Sequence, residues 1–301
     1  MMKNSPLLVI VLVLASIFPA LSQPSQAYEI PFQIRSGRVH FEARVNGAGP
    51  YNFMFDTGAE GMGRADTRLV QELSLPYEGR GVNDDGVNRS TIDLVRIQSL
   101  SIGSLSRGDF IVSSRDYNRS ERAGGLLHGI VGRGFVEGFL VIISYPTNRM
   151  LLYRDASLRP EAEGVLTYTG GYRAPVKAGD LEFLARIDTG SSLTMHFPLE
   201  AADLLGVSDL RSVGIGSRAN TEFQLLAGTI RRPIGVGSVQ VEELEVLFSA
   251  KARMVNVGGR FLSRFVLVLD PRNKRLALVG SLADALQKIA PGDEQDDSGT
   301  R

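Results

Sequence analysis

Two stretches of the chain end in the same tripeptide: residues 51–58 read YNFMFDTG and residues 183–190 read FLARIDTG. In each, an apolar run typical of a β-strand leads into Asp-Thr-Gly, at Asp56 and at Asp188. A single Asp-Thr-Gly is weak evidence, because Asp and Gly favour ordinary surface turns and a chance match is expected in about one protein of this size in twenty. Two copies in the same context indicate an internal repeat.

The repeat extends well beyond the tripeptide. Each copy is followed by a Gly-rich polar stretch, then a glycine turn, a long apolar strand, a Pro-x-Asn turn and another strand. The aspartates, from 56 to 188, have an offset of 132, and the later glycines, from 132 to 258, have an offset of 126. We therefore predict two lobes of one plan, residues 28–159 and 160–281, with a polar, Pro-containing linker at their junction.

Most of the remaining pattern predicts strands, so the fold class that we expect is all-β. Residues 39–45 alternate apolar and polar side chains with period two, and turn signals such as Asn46-Gly47 are frequent. Short helices are expected in residues 67–73, 198–205 and 282–289. Residues 282–301 are predicted to form a short helix followed by a disordered tail, because the end of the chain is acidic and rich in small residues.

Residues 1–27 have the pattern of a secretory signal peptide. Lys3 precedes an apolar run over residues 7–18, and small-residue cleavage sites follow at Ser22 and Ala27. The alternative is a membrane anchor, but the apolar run is shorter than the roughly 20 residues that a spanning helix needs. We expect export to a bacterial periplasm or to the extracellular space, with anchoring through this segment as the less favoured alternative.

Composition and residue spacing argue against several classes of partner and site. Lys plus Arg and Asp plus Glu each total 33, so the net charge gives no indication of a nucleic-acid partner. The chain has no cysteine, which excludes disulfides, thiolate metal sites and a Cys nucleophile and fits a bacterial envelope better than an animal secretory route. The histidines, His40, His128 and His196, lack metal-ligand spacing. The sequence also lacks a phosphate loop and a Gly-x-Ser-x-Gly elbow, so we expect no metal and no cofactor.

A pair of aspartates in tight turns suits the hydrolysis of an amide. Water is a poor nucleophile, and two carboxylates that share one proton can deprotonate it while polarising the carbonyl. Each turn must be held firmly: Thr57 and Thr189 could bond across to the opposite turn, and Gly58 and Gly190 permit close approach of the two backbones.

The residues that carry this pattern resemble the retropepsins, a family of aspartic peptidases. Met54-Phe55-Asp56-Thr57-Gly58-Ala59 is similar to the family's active-site strand and turn, and Gly129-Ile130-Val131-Gly132 to the element that packs beneath it. Residues 187–192 have the form seen in halves of pepsin-like enzymes. The resemblance implies two β-barrel lobes with a cleft between them, with Asp56 and Asp188 as the catalytic pair. It also implies that the Gly-rich stretches, residues 78–90 and 211–220, are flaps that close on a polypeptide substrate.

Because both motifs lie in one chain, we expect a monomer with an intramolecular pseudo-two-fold axis rather than a dimer of single-motif subunits. Asn256 stands where the family usually has an apolar residue, and the Gly-rich stretches lack the tyrosine of pepsin flaps. These departures leave open a non-catalytic protein that binds or senses peptides, and an envelope structural protein is a more remote alternative. Glu60 is either an exposed turn residue or a modulator of the aspartate pair.

Overall fold

The computed structural model describes residues 25–84, 88–118, 125–217 and 221–292, and it is built mainly from β-strands. The strands of the first half are β1 (Gln26–Pro31), β2 (Gln33–Arg35), β3 (Arg38–Val45), β4 (Ala48–Phe55), β5 (Gly63–Asp66), β6 (Tyr77–Asp84), β7 (Arg89–Ile102), β8 (Leu105–Arg115), β9 (Gly129–Val131), β10 (Leu140–Ser144), β11 (Arg149–Tyr153) and β12 (Ala156–Leu158). The strands of the second half are β13 (Val165–Thr167), β14 (Arg173–Ala178), β15 (Leu181–Asp188), β16 (Met195–Pro198), β17 (Arg211–Ser217), β18 (Glu222–Ile230), β19 (Ile234–Val236), β20 (Val239–Val241), β21 (Leu244–Ser249), β22 (Val255–Gly258), β23 (Val266–Asp270), β24 (Arg275–Val279) and β25 (Ile289–Pro291). The all-β fold class expected from the sequence is confirmed.

Short helices connect the strands at a few places. They are α1 (Thr67–Glu72), α2 (Ala201–Leu205), α3 (Gly259–Leu262) and α4 (Leu282–Gln287), with a 3-10 turn at Arg133–Val136. Three of them, α1, α2 and α4, fall within the helical segments predicted from the sequence. The side chain of Asp66 caps α1 by accepting the N–H of Arg68, and Ser281 and Asp284 form a capping box at the start of α4.

The first half forms an eight-stranded sheet that curls back on itself. Its strand order is β2-β3-β4-β9-β5-β8-β7-β6, and a further pairing of β3 with β7 closes it partway into a ring. Within it, β9 lies between β4, to which it is parallel, and β5, to which it is antiparallel. This arrangement brings the end of β4, and hence Asp56, next to the glycine turn that follows β9.

The second half repeats this plan in a nine-stranded sheet of order β17-β18-β21-β16-β22-β15-β14-β19-β20. Here β22 lies between β15, to which it is parallel, and β16, to which it is antiparallel. The strand pair β15–β22 therefore corresponds to β4–β9, as the repeat in the sequence predicts. Asp188, the last residue of β15, pairs with Gly258 at the end of β22.

A six-stranded sheet takes strands from both halves, in the order β1-β11-β10-β23-β24-β13. The Pro-x-Asn turns predicted from the sequence connect β10 to β11 and β23 to β24. At the centre of the sheet, β10 pairs antiparallel with β23, and both strands are buried along their whole length. Hydrophobic side chains from both halves pack into one continuous core, and a second cluster packs the other face of this sheet against α4.

Two segments predicted from the sequence lie at the ends of the chain. Residues 1–24, most of the predicted signal peptide, and residues 293–301, most of the predicted disordered tail, lie outside the described residues. Before that tail, β25 pairs with β12. This short ladder was not predicted, and it ties the segment after α4 to the segment just before the linker.

Candidate active site

The two Asp-Thr-Gly turns meet at the boundary between the halves. Asp56 directly follows β4 and Asp188 ends β15, and their two carboxyl groups lie close enough to interact. Both residues are only partly buried. The structure thus brings together the two residues that the sequence analysis proposed as a catalytic pair.

The threonines of the two turns interlock. Thr57 Oγ1 donates to the carbonyl of Ile187 at 2.7 Å and accepts the N–H of Thr189 at 3.1 Å. In the reciprocal pair of bonds, Thr189 Oγ1 donates to the carbonyl of Phe55 at 3.0 Å and accepts the N–H of Thr57, also at 3.0 Å. Both threonines are fully buried. These four bonds fix the spacing of the turns, and therefore of the aspartates.

The glycines allow the aspartates to approach and also hold their carboxylates. The N–H of Gly58 donates to Asp56 Oδ1 at 2.7 Å, and the N–H of Gly190 donates to Asp188 Oδ1 at 3.1 Å. A Cβ atom at Gly190 would lie 2.5 Å from Asp56 Oδ1, which no real side chain tolerates. A Cβ at Gly58 would lie 3.2 Å from Asp188 Oδ1. Glycine is therefore required at position 190 by the carboxylate of the opposite half.

The environment of Asp56 favours its protonated form. Burial, followed by the nearby negative charge of Asp188, raises the pKa of Asp56 to about 7, and the hydrogen bond to Asp188 acts in the same direction. The N–H of Gly58 and the positive charge of Arg64 on β5 oppose this increase. The pair therefore keeps one proton up to near-neutral pH, as expected for two carboxyl groups that cannot both ionise cheaply.

Asn256 is a site residue that the sequence analysis did not assign. Its position on β22 was noted only as a departure from the expected apolar residue. In the structure its Nδ2 donates to Asp188 Oδ2 at 2.7 Å. The contact follows from the strand register in the structure, in which Asn256 pairs with Arg186, two residues before Asp188 and on the same side of the strand.

Two long hairpins correspond to the Gly-rich stretches, β6–β7 in the first half and β17–β18 in the second. Their tips, residues 85–87 and 218–220, lie outside the described residues. Next to the tips, Asn88 Nδ2 donates to Thr221 Oγ1 at 3.0 Å, so the two hairpins contact each other. Each carries a highly exposed apolar side chain, Val82 at 72% and Ile215 at 75% exposure.

The histidines make ordinary packing hydrogen bonds. His40 Nδ1 bonds to Asn52 Oδ1 at 3.0 Å, His128 Nδ1 accepts the N–H of Asn52 at 3.1 Å, and His196 Nε2 bonds to Ser249 Oγ at 2.8 Å. Burial lowers the pKa of His40 to about 4, so its ring is neutral near pH 7. In the described ranges, no group of three or more His, Asp or Glu residues is arranged to hold a metal ion.

Glu60 is exposed at the surface. Its carboxylate is 80% exposed and forms an ion pair with Arg133 at 2.6 Å. Of the two interpretations left open by the sequence, the structure supports an exposed turn residue.

Comparison with known families agrees with this geometry. Residues 41–135 match the family model described as "Aspartyl protease". The match runs from β3 to the 3-10 turn at Arg133–Val136 and includes the first Asp-Thr-Gly and the glycine turn after β9. Over this region the chain is similar to that family, and the match supports a retropepsin-like aspartyl protease relationship. The second Asp-Thr-Gly, at Asp188, lies beyond the matched residues. No curated protein matches the chain.

Proposed function

We propose that this protein is an exported aspartic endopeptidase that hydrolyses peptide bonds with water activated between Asp56 and Asp188. The observation that carries the proposal is the interlocked pair of turns. Four buried hydrogen bonds through Thr57 and Thr189 hold two carboxyl groups, one from each half, close to each other. The family match over the first half, with its implied protease activity, agrees with this chemistry.

The reaction needs only the shared proton and one water molecule. One carboxylate accepts a proton from water while the water oxygen attacks the carbonyl carbon. The other carboxyl group protonates the carbonyl oxygen. The resulting tetrahedral diol collapses with cleavage of the C–N bond: the carboxyl group that took the proton from water passes it to the leaving amine, and one hydroxyl of the diol returns its proton to the other carboxylate as the carbonyl re-forms. The raised pKa of Asp56 supports this scheme, because it retains the required proton near neutral pH.

We infer that the substrate is an extended polypeptide that lies between the aspartate pair and the hairpins. β6 and β17 are the outermost strands of their sheets, and each hairpin carries exposed apolar surface that a substrate could cover. On the second hairpin, a cavity of about 440 Å³ offers room for a substrate side chain. Its lining residues are Ser212, Gly214, Ile215, Glu222, Phe223 and Gln224.

Export is proposed from the N-terminal sequence, with the periplasm or the extracellular space as the destination. Because β1 begins at Gln26, cleavage after Ser22 would leave this strand whole, whereas cleavage after Ala27 would remove its first two residues. Among the residues that the structure describes, no helix is long and apolar enough to span a membrane. N-terminal sequencing of protein recovered from the envelope fraction tests the proposal, and cytoplasmic protein that retains its original N-terminus would reject it.

The catalytic proposal is tested by Asp56→Asn and Asp188→Asn, which keep side-chain size and remove the charge. With one site per monomer, each variant loses cleavage of a mixed peptide library, and mixing the two variants restores none. If each half instead paired with its own copy in a homodimer, each variant would keep about half of the activity, because one of two sites survives. Asp203→Asn, an exposed change in α2, is the matched control and should cleave like wild type.

A wild-type protein that binds peptides without cleaving them would reject the peptidase proposal in favour of the non-catalytic alternative. Sedimentation of the active species, measured on the same preparation, distinguishes the monomer from the dimer.

A further inference from the structure

The two halves give the aspartate pair different neighbours at one equivalent position. On β22, Asn256 pairs with Arg186, two residues before Asp188. On β9, Ile130 pairs with Met54, two residues before Asp56. Positions 256 and 130 therefore correspond in the repeat, but one carries an amide and the other a hydrocarbon side chain.

This difference changes how many donors each carboxylate receives. Asp188 accepts three N–H groups: those of Gly190 and Ser191 on Oδ1, each at 3.1 Å, and Nδ2 of Asn256 on Oδ2 at 2.7 Å. Asp56 accepts the N–H of Gly58 on Oδ1. Donors aimed at a carboxylate favour its ionised form, so this environment stabilises a negative charge at Asp188 more than at Asp56.

On the side of Asp56, the equivalent position belongs to an apolar cluster. Ile130 packs there with Met54, Ala59 and Leu127. A hydrocarbon side chain at this position has no N–H group to donate, so it cannot favour the ionised form of Asp56 as Asn256 favours that of Asp188.

The side chain of Asn256 carries a cost in folding free energy, which indicates a role other than stability. Its Oδ1 is buried and has no hydrogen-bond partner. Burying an amide oxygen without a donor opposes folding, and a leucine or isoleucine of similar volume would avoid that cost. The contact of Nδ2 with Asp188 is the evident compensation.

We propose, building on the peptidase function above, that Asn256 is a positioning residue that fixes the negative charge of the pair on Asp188 and its proton on Asp56. Asp188 is then the base that takes the proton from water, and Asp56 is the acid that protonates the carbonyl oxygen of the substrate. Two further groups are coupled to the pair electrostatically: the positive charge of Arg64 acts on Asp56, and the negative charge of Asp188 acts on the buried hydroxyl of Tyr145. Tyr145 is uncharged here, because burial raises its pKa.

The first test compares pH profiles of peptide cleavage for wild type and Asn256→Leu. The variant removes a donor from the ionised base, so the acid limb should move up by about one to two pH units and the rate constant kcat should fall roughly tenfold or more. The alkaline limb, which reports loss of the proton from Asp56, should stay in place, and KM should change little. Ile130→Leu, a volume-conserving change at the equivalent position, is the control in which neither limb moves.

A second test does not depend on activity. In Asp56→Asn, Asp188 is the only carboxyl group left in the pair, and its protonation can be followed by NMR of its labelled side chain. Adding Asn256→Leu should raise the pH of proton uptake by about one to two units.

The inference is overturned if the NMR titration is unchanged, or if Asn256→Leu slows cleavage while both limbs stay fixed, as a purely structural role would predict. A wild-type protein that cleaves nothing would refute the peptidase proposal, whereas the NMR comparison would still decide the role of Asn256.

Discussion

Replacing Asp56 by Asn should stabilise the folded protein, and the gain should grow as the pH rises. The folded protein keeps the proton of Asp56 up to about pH 7, whereas the unfolded chain loses it near the ordinary value of 3.8. Between these values the folded state binds more protons than the unfolded state, so the free energy of unfolding falls as the pH rises. Asn has no titratable proton, so the free energy of unfolding of the variant does not fall in this way.

The size of the effect follows from the pKa difference. About three units at 1.36 kcal/mol each give roughly 4 kcal/mol, and screening of a partly exposed group reduces the expected gain to about 2–4 kcal/mol. The variant and wild type should therefore have similar stabilities near pH ~4 and differ by this amount near pH ~8. Most of the change should occur between these values.

Urea denaturation followed by circular dichroism at several pH values measures the difference. Asp203→Asn in α2 is the matched control, because it removes an exposed carboxylate without touching the aspartate pair. A stability difference between Asp56→Asn and wild type that stays constant from acid to alkaline pH would refute the reasoning, as would a difference that shrinks as the pH rises.

Other predictions concern the turns and the shared proton. Thr57→Val should lower the free energy of unfolding by about 2–4 kcal/mol, measured by thermal denaturation, because it leaves a buried carbonyl and the N–H of Thr189 without partners; an unchanged melting temperature would contradict the interlock. Gly190→Ala should reduce cleavage about 100-fold or more because its Cβ displaces the carboxylate of Asp56, whereas Gly170→Ala, where a Cβ meets open space, should cleave like wild type. The cleavage rate of wild type should decline above about pH 7 as Asp56 loses its proton, and a rate that stays flat into alkaline conditions would count against a shared proton.

The sequence predicted the parts of the fold that are encoded locally. Period-two alternation identified strands such as β3, and the repeated order of turn, strand and glycine element predicted two halves of one plan. The meeting of Asp56 and Asp188 could be inferred only through the repeat and the family resemblance, because strand patterns alone do not specify which turns come together.

Other features depend on tertiary contacts that no local pattern shows. The pairing of β10 with β23 combines strands from the two halves, and both read simply as buried apolar runs. Asn256 was treated only as a departure from the apolar residue that the resembled family has at this position, so its contact with the aspartate pair was missed. Its significance depends on a contact of 2.7 Å with Asp188, which the position in the chain alone does not reveal.

The β10–β23 pair lies on the axis that relates the two halves, and joining them in one chain allows their sequences to differ. Ile142 and Val268, which are 126 positions apart like the two later glycines, pair directly with each other, so the pseudo-two-fold axis passes between them. An antiparallel ladder centred on equivalent residues is the contact that two identical chains make when they associate as a symmetric dimer. In such a dimer every substitution is copied onto both sides of the axis. In one polypeptide that constraint is absent, so position 256 can carry an asparagine while position 130 carries an isoleucine.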